Sequence, residues 1–456
     1  MKYWLETLGC PKNQVDSEKL SGLLEADGYR PAERPGDADL VVVNTCAFVE
    51  AARKESIEVI LDLAETRRGG ARLAVTGCMA ERYGAELADA FPEVDVVAGF
   101  GVPVAQPVTH PSARPELPAA AGPSGIGWSP VGLPTSAKRP SFDLLNLPRP
   151  ARKSPWAYVK VAEGCDRRCG FCAIPSFRGR QRSRPFDAIL DEIDQLQVEE
   201  VVLVAQDLAS YGRDQSPGAR NGNVPDGDLS LSRRRAGRPI ERLVRAAAER
   251  APRVRLLYLY PSELTDGLID VIGEAGCAYF DLSLQHVSRA HLRRMRRFGG
   301  GERFMERIGR IRDRFPDAGL RSSFIVGYPG ETEEDHEALL EFLEDAQLDW
   351  AGFFAYSKED GTYAAKLPDQ IEEHVVAERL GECQELQDRI TAGRRLDLVG
   401  EKMRVLVDSP GIARSHREAP EIDGIINVPA DRPSGTWADV YVTGAVGTDL
   451  QAGWVG

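Results

Sequence analysis

No run of about 18 apolar residues occurs in the chain, so nothing in it reads as a membrane span. The first residues, MKYWLETLGC, lack the apolar stretch of an export signal. The sequence therefore reads as that of a cytoplasmic protein. Positive charge is short: 57 Lys+Arg face 70 Asp+Glu, a net charge of −13. Nucleic-acid coating depends on basic side chains that neutralise phosphates. The balance argues against that role and against specific DNA binding, and favours neutral or basic protein surfaces as partners. Histidine is scarce, with 6 in 456 residues, and none lies within 50 residues of Cys165–Cys172.

What the chain does have is cysteine in pattern. The eight are Cys10, Cys46, Cys78, Cys165, Cys169, Cys172, Cys277 and Cys383. In a long chain without an export signal, thiols bind metal or react more often than they pair. At about 150 residues per domain the length suggests about three domains.

Residues 1–100 alternate strand-like and helix-like stretches. KYWLETLG (2–9), DLVVVNTC (39–46), RLAVTGC (72–78) and VDVVAGF (94–100) read as strands, with helices between them. The pattern predicts a small parallel α/β domain. Residues 101–150 hold 11 of the 30 prolines and show no hydrophobic period. They read as an extended linker. From about 153 a second α/β series begins, with six strand candidates at 157–162, 200–207, 254–260, 279–285, 321–328 and 351–356. Six βα units over 151–390 predict a parallel barrel lacking two strands, with its chemistry at the C-terminal strand ends. The polar stretch 213–238, with Arg233, Arg234 and Arg235, reads as an exposed loop. Residues 397–456 carry short β-like runs broken by Gly and Pro and predict a small antiparallel barrel.

The strongest motif is Cys165-Asp-Arg-Arg-Cys169-Gly-Phe-Cys172, directly after the first barrel strand. Three thiolates on one tight loop bind three corners of a cubane iron–sulfur cluster and leave the fourth iron open. Structural zinc would call for a fourth ligand close by. Cys10, Cys46 and Cys78 each end a predicted parallel strand, in LGC, NTC and TGC. Parallel strands of one sheet end along one edge, where ligands bind, so these three thiols read as a second metal site. Cys277 and Cys383 read as packing residues. Gln206 and Asp207 end the second barrel strand, at the barrel's active face. Gln285 and His286 end the fourth, and Gly327, Pro329 and Gly330 follow the fifth. Arg289, Arg293, Arg294, Arg296 and Arg297 form a basic helical cluster.

GCDRRCGFCAIPSFRG (164–179) resembles the radical S-adenosylmethionine superfamily. LGCPKNQVDSE (8–18), NTCAFV (44–49) and TGCMAERY (76–83) resemble its methylthiotransferase branch, and Gly-Cys-Pro-Lys-Asn at 9–13 points to the members that modify a ribosomal protein. The resemblance implies that Cys165, Cys169 and Cys172 hold a 4Fe–4S cluster whose open iron chelates S-adenosylmethionine. It implies a second, auxiliary 4Fe–4S cluster on Cys10, Cys46 and Cys78, which carries the sulfur to be donated. Phe171, Gln206, Asp207, Gln285 and Gly327 become cofactor-binding candidates, Phe171 through its backbone at the adenine. The implied reaction uses a 5′-deoxyadenosyl radical to take a hydrogen from an aspartate β-carbon, where a methylthio group is then joined. Such a C–H bond has no proton that a general base can remove, so the cofactors carry the chemistry. Ser283 departs from the proline usual at that place in the family.

Within the branch, one enzyme class modifies tRNA adenosine and the other an aspartate of small-subunit ribosomal protein twelve; the C-terminal barrel is a TRAM domain in both. Residues 397–456 carry 5 Lys/Arg against 9 Asp/Glu. A tRNA-gripping barrel should be basic, and an acidic one suits a basic ribosomal protein. The reading is the protein-modifying enzyme, supplied by a one-electron donor such as flavodoxin or ferredoxin. The alternatives are the tRNA enzyme and, from another class, a zinc-stabilised RNA-binding protein without activity.

Overall fold

A computed structural model of the chain describes residues 1–100, 102–105, 144–147, 149–150, 154–215 and 237–455. The expected linker and the stretch 213–238, including Arg233 to Arg235, lie mostly outside the described residues. No helix among the described residues is long and apolar enough to cross a membrane. The chain divides into two compact units. The first is Met1–Pro150 together with Ser176–Arg178, and the second is Ala151–Pro175 with Gly179–Gly456.

The first unit is a five-stranded parallel sheet of β1 (Lys2–Thr7), β2 (Arg30–Pro31), β3 (Leu40–Thr45), β4 (Arg72–Gly77) and β5 (Val96–Ala98). Its order is β2-β1-β3-β4-β5. The six residues of β3, LVVVNT, are all buried, as a central parallel strand covered on both faces requires. The two-residue β2 was too short to show in the pattern. In this strand order the chain winds outward in opposite directions from β1 and β3, so their C-terminal ends flank a crevice at the topological switch point.

The second unit opens with an arc of parallel strands. These are β6 (Trp156–Lys160), β9 (Glu200–Val204), β10 (Arg253–Leu256), β11 (Tyr279–Gln285), β12 (Gly319–Val326) and β13 (Trp350–Ala355), and a short antiparallel pair, β7 (Ala162–Glu163) and β8 (Arg182–Ser183), leaves the end of β6. A bridge from Leu259 to Leu282 joins the β6-β9-β10 and β11-β12-β13 halves. The six expected strands are all present. Helices cover the arc by amphipathic spacing. In Pro239–Ala248, for example, Ile240, Leu243, Val244 and Ala247 are buried, at i, i+3, i+4 and i+7.

A 24-residue helix, Glu373–Leu396, leads to the last element. It occupies 391–396, which the sequence reading left between core and barrel. The final barrel is closed, in the order β14-β15-β16-β18-β17, from β14 (Lys402–Ser409), β15 (Ile412–Arg414), β16 (Ile426–Asn427), β17 (Trp437–Val446) and β18 (Asp449–Trp454). It is antiparallel except that β16 and β18 pair in parallel.

The N-terminal ends of the arc strands hold this barrel. Glu200, the first residue of β9, is fully buried; Arg255 Nε donates to its Oε1 at 2.7 Å and Arg414 Nη1 to its Oε2 at 3.0 Å. Arg253 donates to the carbonyl of Ser415 at 2.9 Å, Arg255 to that of His416 at 2.9 Å and Trp350 to that of Arg417 at 2.7 Å. Burial alone would raise the Glu200 carboxyl, but Arg414, Arg255 and Arg253 outweigh it and hold it at about 2. The opposite, C-terminal ends of the strands are thereby left for chemistry.

Candidate functional site

In the first unit the three thiols leave the sheet at its C-terminal edge. Cys10 follows β1 as the N-cap of the helix Pro11–Ala26, Cys46 follows β3, and Cys78 follows β4 as the first residue of the helix Cys78–Ala90. Two of these turns need glycine. Gly9 has φ +93° and Gly77 φ +90°. A Cβ on Gly77 would meet Asn44 Oδ1 at 2.2 Å and the Thr45 carbonyl oxygen at 2.6 Å, and one on Gly9 would meet Cys46 Sγ at 2.9 Å. The second contact also shows that Cys46 lies against the turn carrying Cys10. Asn13, fully buried, ties two strand ends together, donating to the Leu8 carbonyl at 2.9 Å and the Thr45 carbonyl at 3.1 Å. Ser56 Oγ accepts from the Cys46 N–H at 3.2 Å.

The thiols act on one another. Burial pushes Cys46 up to about 12, helped by the charges of Cys10 and Cys78. Cys78 is raised, first by burial and also by Cys10. Burial works against Cys10 too, but Lys12, Arg178 and the N–H groups of Asn13 and Lys12 prevail and lower it. Three thiols at one sheet edge, with one member eased toward ionisation, form a donor set of the kind a cation completes.

In the second unit Cys165, Cys169 and Cys172 lie on the loop after β7, between it and the short helix Ile174–Arg178. The Gly170 N–H donates to the Met295 carbonyl at 2.8 Å and the Ala364 N–H to the Gly170 carbonyl at 2.8 Å, which fix the middle of the loop. Arg167 fixes its start: Nε donates to Asp207 at 2.6 Å, Nη2 to Glu263 at 3.0 Å, and its own N–H to Cys165 Sγ at 3.4 Å. Arg167 and Arg297 lie over the same Tyr260 ring, at 4.0 and 3.9 Å. Arg297 Nη1 also reaches Cys169 Sγ at 3.6 Å. Burial, then the neighbouring thiolates, push Cys172 up to about 12; burial, partly offset by the Arg167 N–H, pushes Cys165 up to about 11.

Spacing separates zinc from a cluster. Thiolates about 2.3 Å from one tetrahedral zinc stand about 3.8 Å apart. Among the described residues, the group of three possible ligands whose donor atoms fall within 4.8 Å of one another is His286, His291 and Glu331, not either cysteine triplet. The cysteine triplets are set wider than a single zinc ion would hold them.

Residues 2–99 match the family described as uncharacterized protein family UPF0004, 159–343 the radical SAM superfamily, and 399–455 the TRAM domain. The ribosomal protein uS12 methylthiotransferase RimO of Streptomyces coelicolor is 42% identical, over 98% of this chain and 95% of its own. The protein of the same name from Chloroflexus aurantiacus is 39% identical over 99% of both. The chain belongs to the RimO family. It is a radical S-adenosylmethionine methylthiotransferase, and its superfamily uses S-adenosylmethionine and a 4Fe–4S cluster. Among solved structures, the radical S-adenosylmethionine methyltransferase TsrM of Kitasatospora setae is similar at a TM-score of 0.47 and 15% identity, over 95% of this chain and 81% of that one.

The other candidates of this RimO family member divide. Gln206 and Asp207 lie on the loop just after β9; Gln206 Oε1 and Asp207 Oδ1 are buried and have no partner among the described residues. Phe171 packs partly buried on the barrel core. Gln285 ends β11 with φ 73°. The Gly327 N–H donates to Glu331 at 2.7 Å, closing the turn after β12. His286 is buried; its Nδ1 accepts from the Ser288 N–H at 3.1 Å, so the proton of the neutral ring is on Nε2. Burial and His291 push His286 down to about 3. Glu331 is engaged by Arg379 at 3.1 Å. His286 Nε2 and both ring nitrogens of His291 are buried without a hydrogen-bond partner among the described residues. Of the arginine cluster, Arg297 reaches Cys169, Arg294 donates to the Gly330 carbonyl at 3.1 Å and Arg296 lies 4.2 Å over the Tyr363 ring, while Arg289 and Arg293 are exposed. Cys277 and Cys383 are buried in packing. Sequence reasoning gave no role to Asn13, Arg167 or Arg178, although all three stand inside the motif blocks.

Proposed function

We propose that the chain adds a methylthio group to the β-carbon of an aspartate in ribosomal protein uS12, in the cytoplasm, with electrons from a flavodoxin- or ferredoxin-type donor. Cys165, Cys169 and Cys172 would hold the 4Fe–4S cluster that binds S-adenosylmethionine. Cys10, Cys46 and Cys78 would hold an auxiliary 4Fe–4S cluster. The first, when bound, supplies radical chemistry at an unactivated C–H bond; the second supplies sulfur. The chain's own residues position these groups. Arg167 and the Gly170 backbone hold one thiol loop still, and Asn13 holds two strand ends together at the other site. Gln206 and Asp207 offer buried acceptors to the hydroxyl and ammonium donors of the cofactor. No residue is needed as a general base.

The observation that carries this reading is similarity along nearly the whole chain, through the C-terminal barrel, to proteins named for uS12. The charge of that barrel supports it. Arg414 and Arg417 are turned inward, paired with Glu200 and with Asp349. Asp397, Glu401, Glu421, Asp431 and Asp439 remain exposed against Lys402 and Arg404. The outer face is therefore acidic, which suits a basic protein and not tRNA. Incubation with uS12, S-adenosylmethionine, sulfide and a reductant, followed by mass spectrometry, tests the proposal. A methylthio group in place of one hydrogen on an aspartate is the expected result; the same change on tRNA overturns it.

A further inference from the structure

Arg178 is a buried cation beside thiols. It ends the helix Ile174–Arg178 and is 7% exposed. Its Nη2 donates to Cys78 Sγ at 3.0 Å and to Asn13 Oδ1 at 2.7 Å, and its Nη1 lies 3.4 Å from Asp16 Oδ2. The Phe100 ring covers the guanidinium, 4.7 Å from ring centre to Cζ. The charge of Arg178 favours ionisation of Cys10, Cys46 and Cys78 alike. None of the steps proposed above uses it.

We propose that Arg178 sets the reduction potential of the cluster on Cys10, Cys46 and Cys78, by donating to Cys78 Sγ and placing a buried positive charge among the three thiolates. The inference rests on the reading of these cysteines as cluster ligands. A cluster held by three thiolates becomes more negative on reduction. A hydrogen bond to a ligand sulfur and a nearby cation both stabilise that state and raise the potential. Asp16 opposes Arg178: its carboxylate offsets part of the guanidinium charge. The two residues should therefore move the potential in opposite directions, which a purely structural ion pair would not do. Arg178 is a positioning and field residue, not a catalytic one.

The test uses the full chain with Cys165, Cys169 and Cys172 all replaced by Ala, reconstituted anaerobically with iron and sulfide. Iron analysis should find about four irons per chain. A redox titration followed by electron paramagnetic resonance then reads the midpoint. Arg178→Gln should shift it to more negative potential, Arg178→Lys less so, and Asp16→Asn to more positive potential. If the parent binds no iron, the cluster reading falls and this inference with it. If the parent binds iron but Arg178→Gln and Asp16→Asn leave the midpoint in place, the inference alone is overturned. Should Arg178→Gln fail to retain iron, the sign of the Asp16→Asn shift decides.

Discussion

At the scale of single residues, the cysteines depend on the glycines before them. Gly77 turns with φ +90° where a Cβ would meet backbone and side-chain oxygens of β3. An alanine there must adopt a left-handed conformation, costing about 1–3 kcal/mol, and must push β3 and β4 apart. Gly77→Ala should lower the melting temperature and displace Cys78. Iron in the reconstituted protein should fall from about eight toward about four per chain, and an unchanged iron content would show that the turn tolerates the methyl group. Such a dependence is legible in the sequence, since Gly-Cys appears at the end of two apolar runs. Asn13 and Arg178 are less legible. Their roles come from which strand ends and which loop fold beside them, and no periodicity records that.

At the scale of elements, the parallel strands announced themselves as apolar runs, and their observed bounds differ from the expected ones by a few residues. The short β2, β15 and β18 did not, because two or three residues, or a run containing Gly453, carry too little pattern. The ion-paired seat of the final barrel was invisible for another reason. Glu200, Arg253 and Arg255 alternate with apolar residues at the starts of β9 and β10 and look like ordinary solvent-facing positions. They are buried because the barrel covers them. Glu200 and Glu418 are both held at about 2, against an ordinary 4.5. For Glu418 burial acts in the raising direction, and Arg395 with Ser415 outweighs it. Both carboxyls are depressed in the fold, so their stabilisation is complete above pH 4.5 and is lost as pH falls from there toward 2. Thermal melts across this window should show a steep loss of stability. Glu200→Gln should destabilise the chain by about 3–5 kcal/mol at neutral pH and flatten the acid dependence; an equally steep acid loss in the variant would assign it to other groups.

At the scale of the whole molecule, the net charge of −13 is distributed with purpose in this fold. Arg414 and Arg417 of the final barrel face inward, where they join elements, and Asp397, Glu401, Glu421, Asp431 and Asp439 face outward, where they meet solvent. The family boundaries at 159–343 and 399–455 follow inheritance. The arginine contacts across the starts of β9 and β10 follow mechanics, and the two partitions do not coincide. Cutting the chain near residue 397 would strand Glu200 with fewer arginines and leave the backbone carbonyls of 415–417 without their donors. A fragment ending there should therefore be poorly soluble on its own. Scanning calorimetry of the intact chain should record the α/β arc and the terminal barrel melting in one shared endotherm, and two separated peaks would mean that the arginine seat is weaker than its geometry. A foreign barrel grafted onto this arc would have to bring its own counterpart of Arg414 to clasp Glu200.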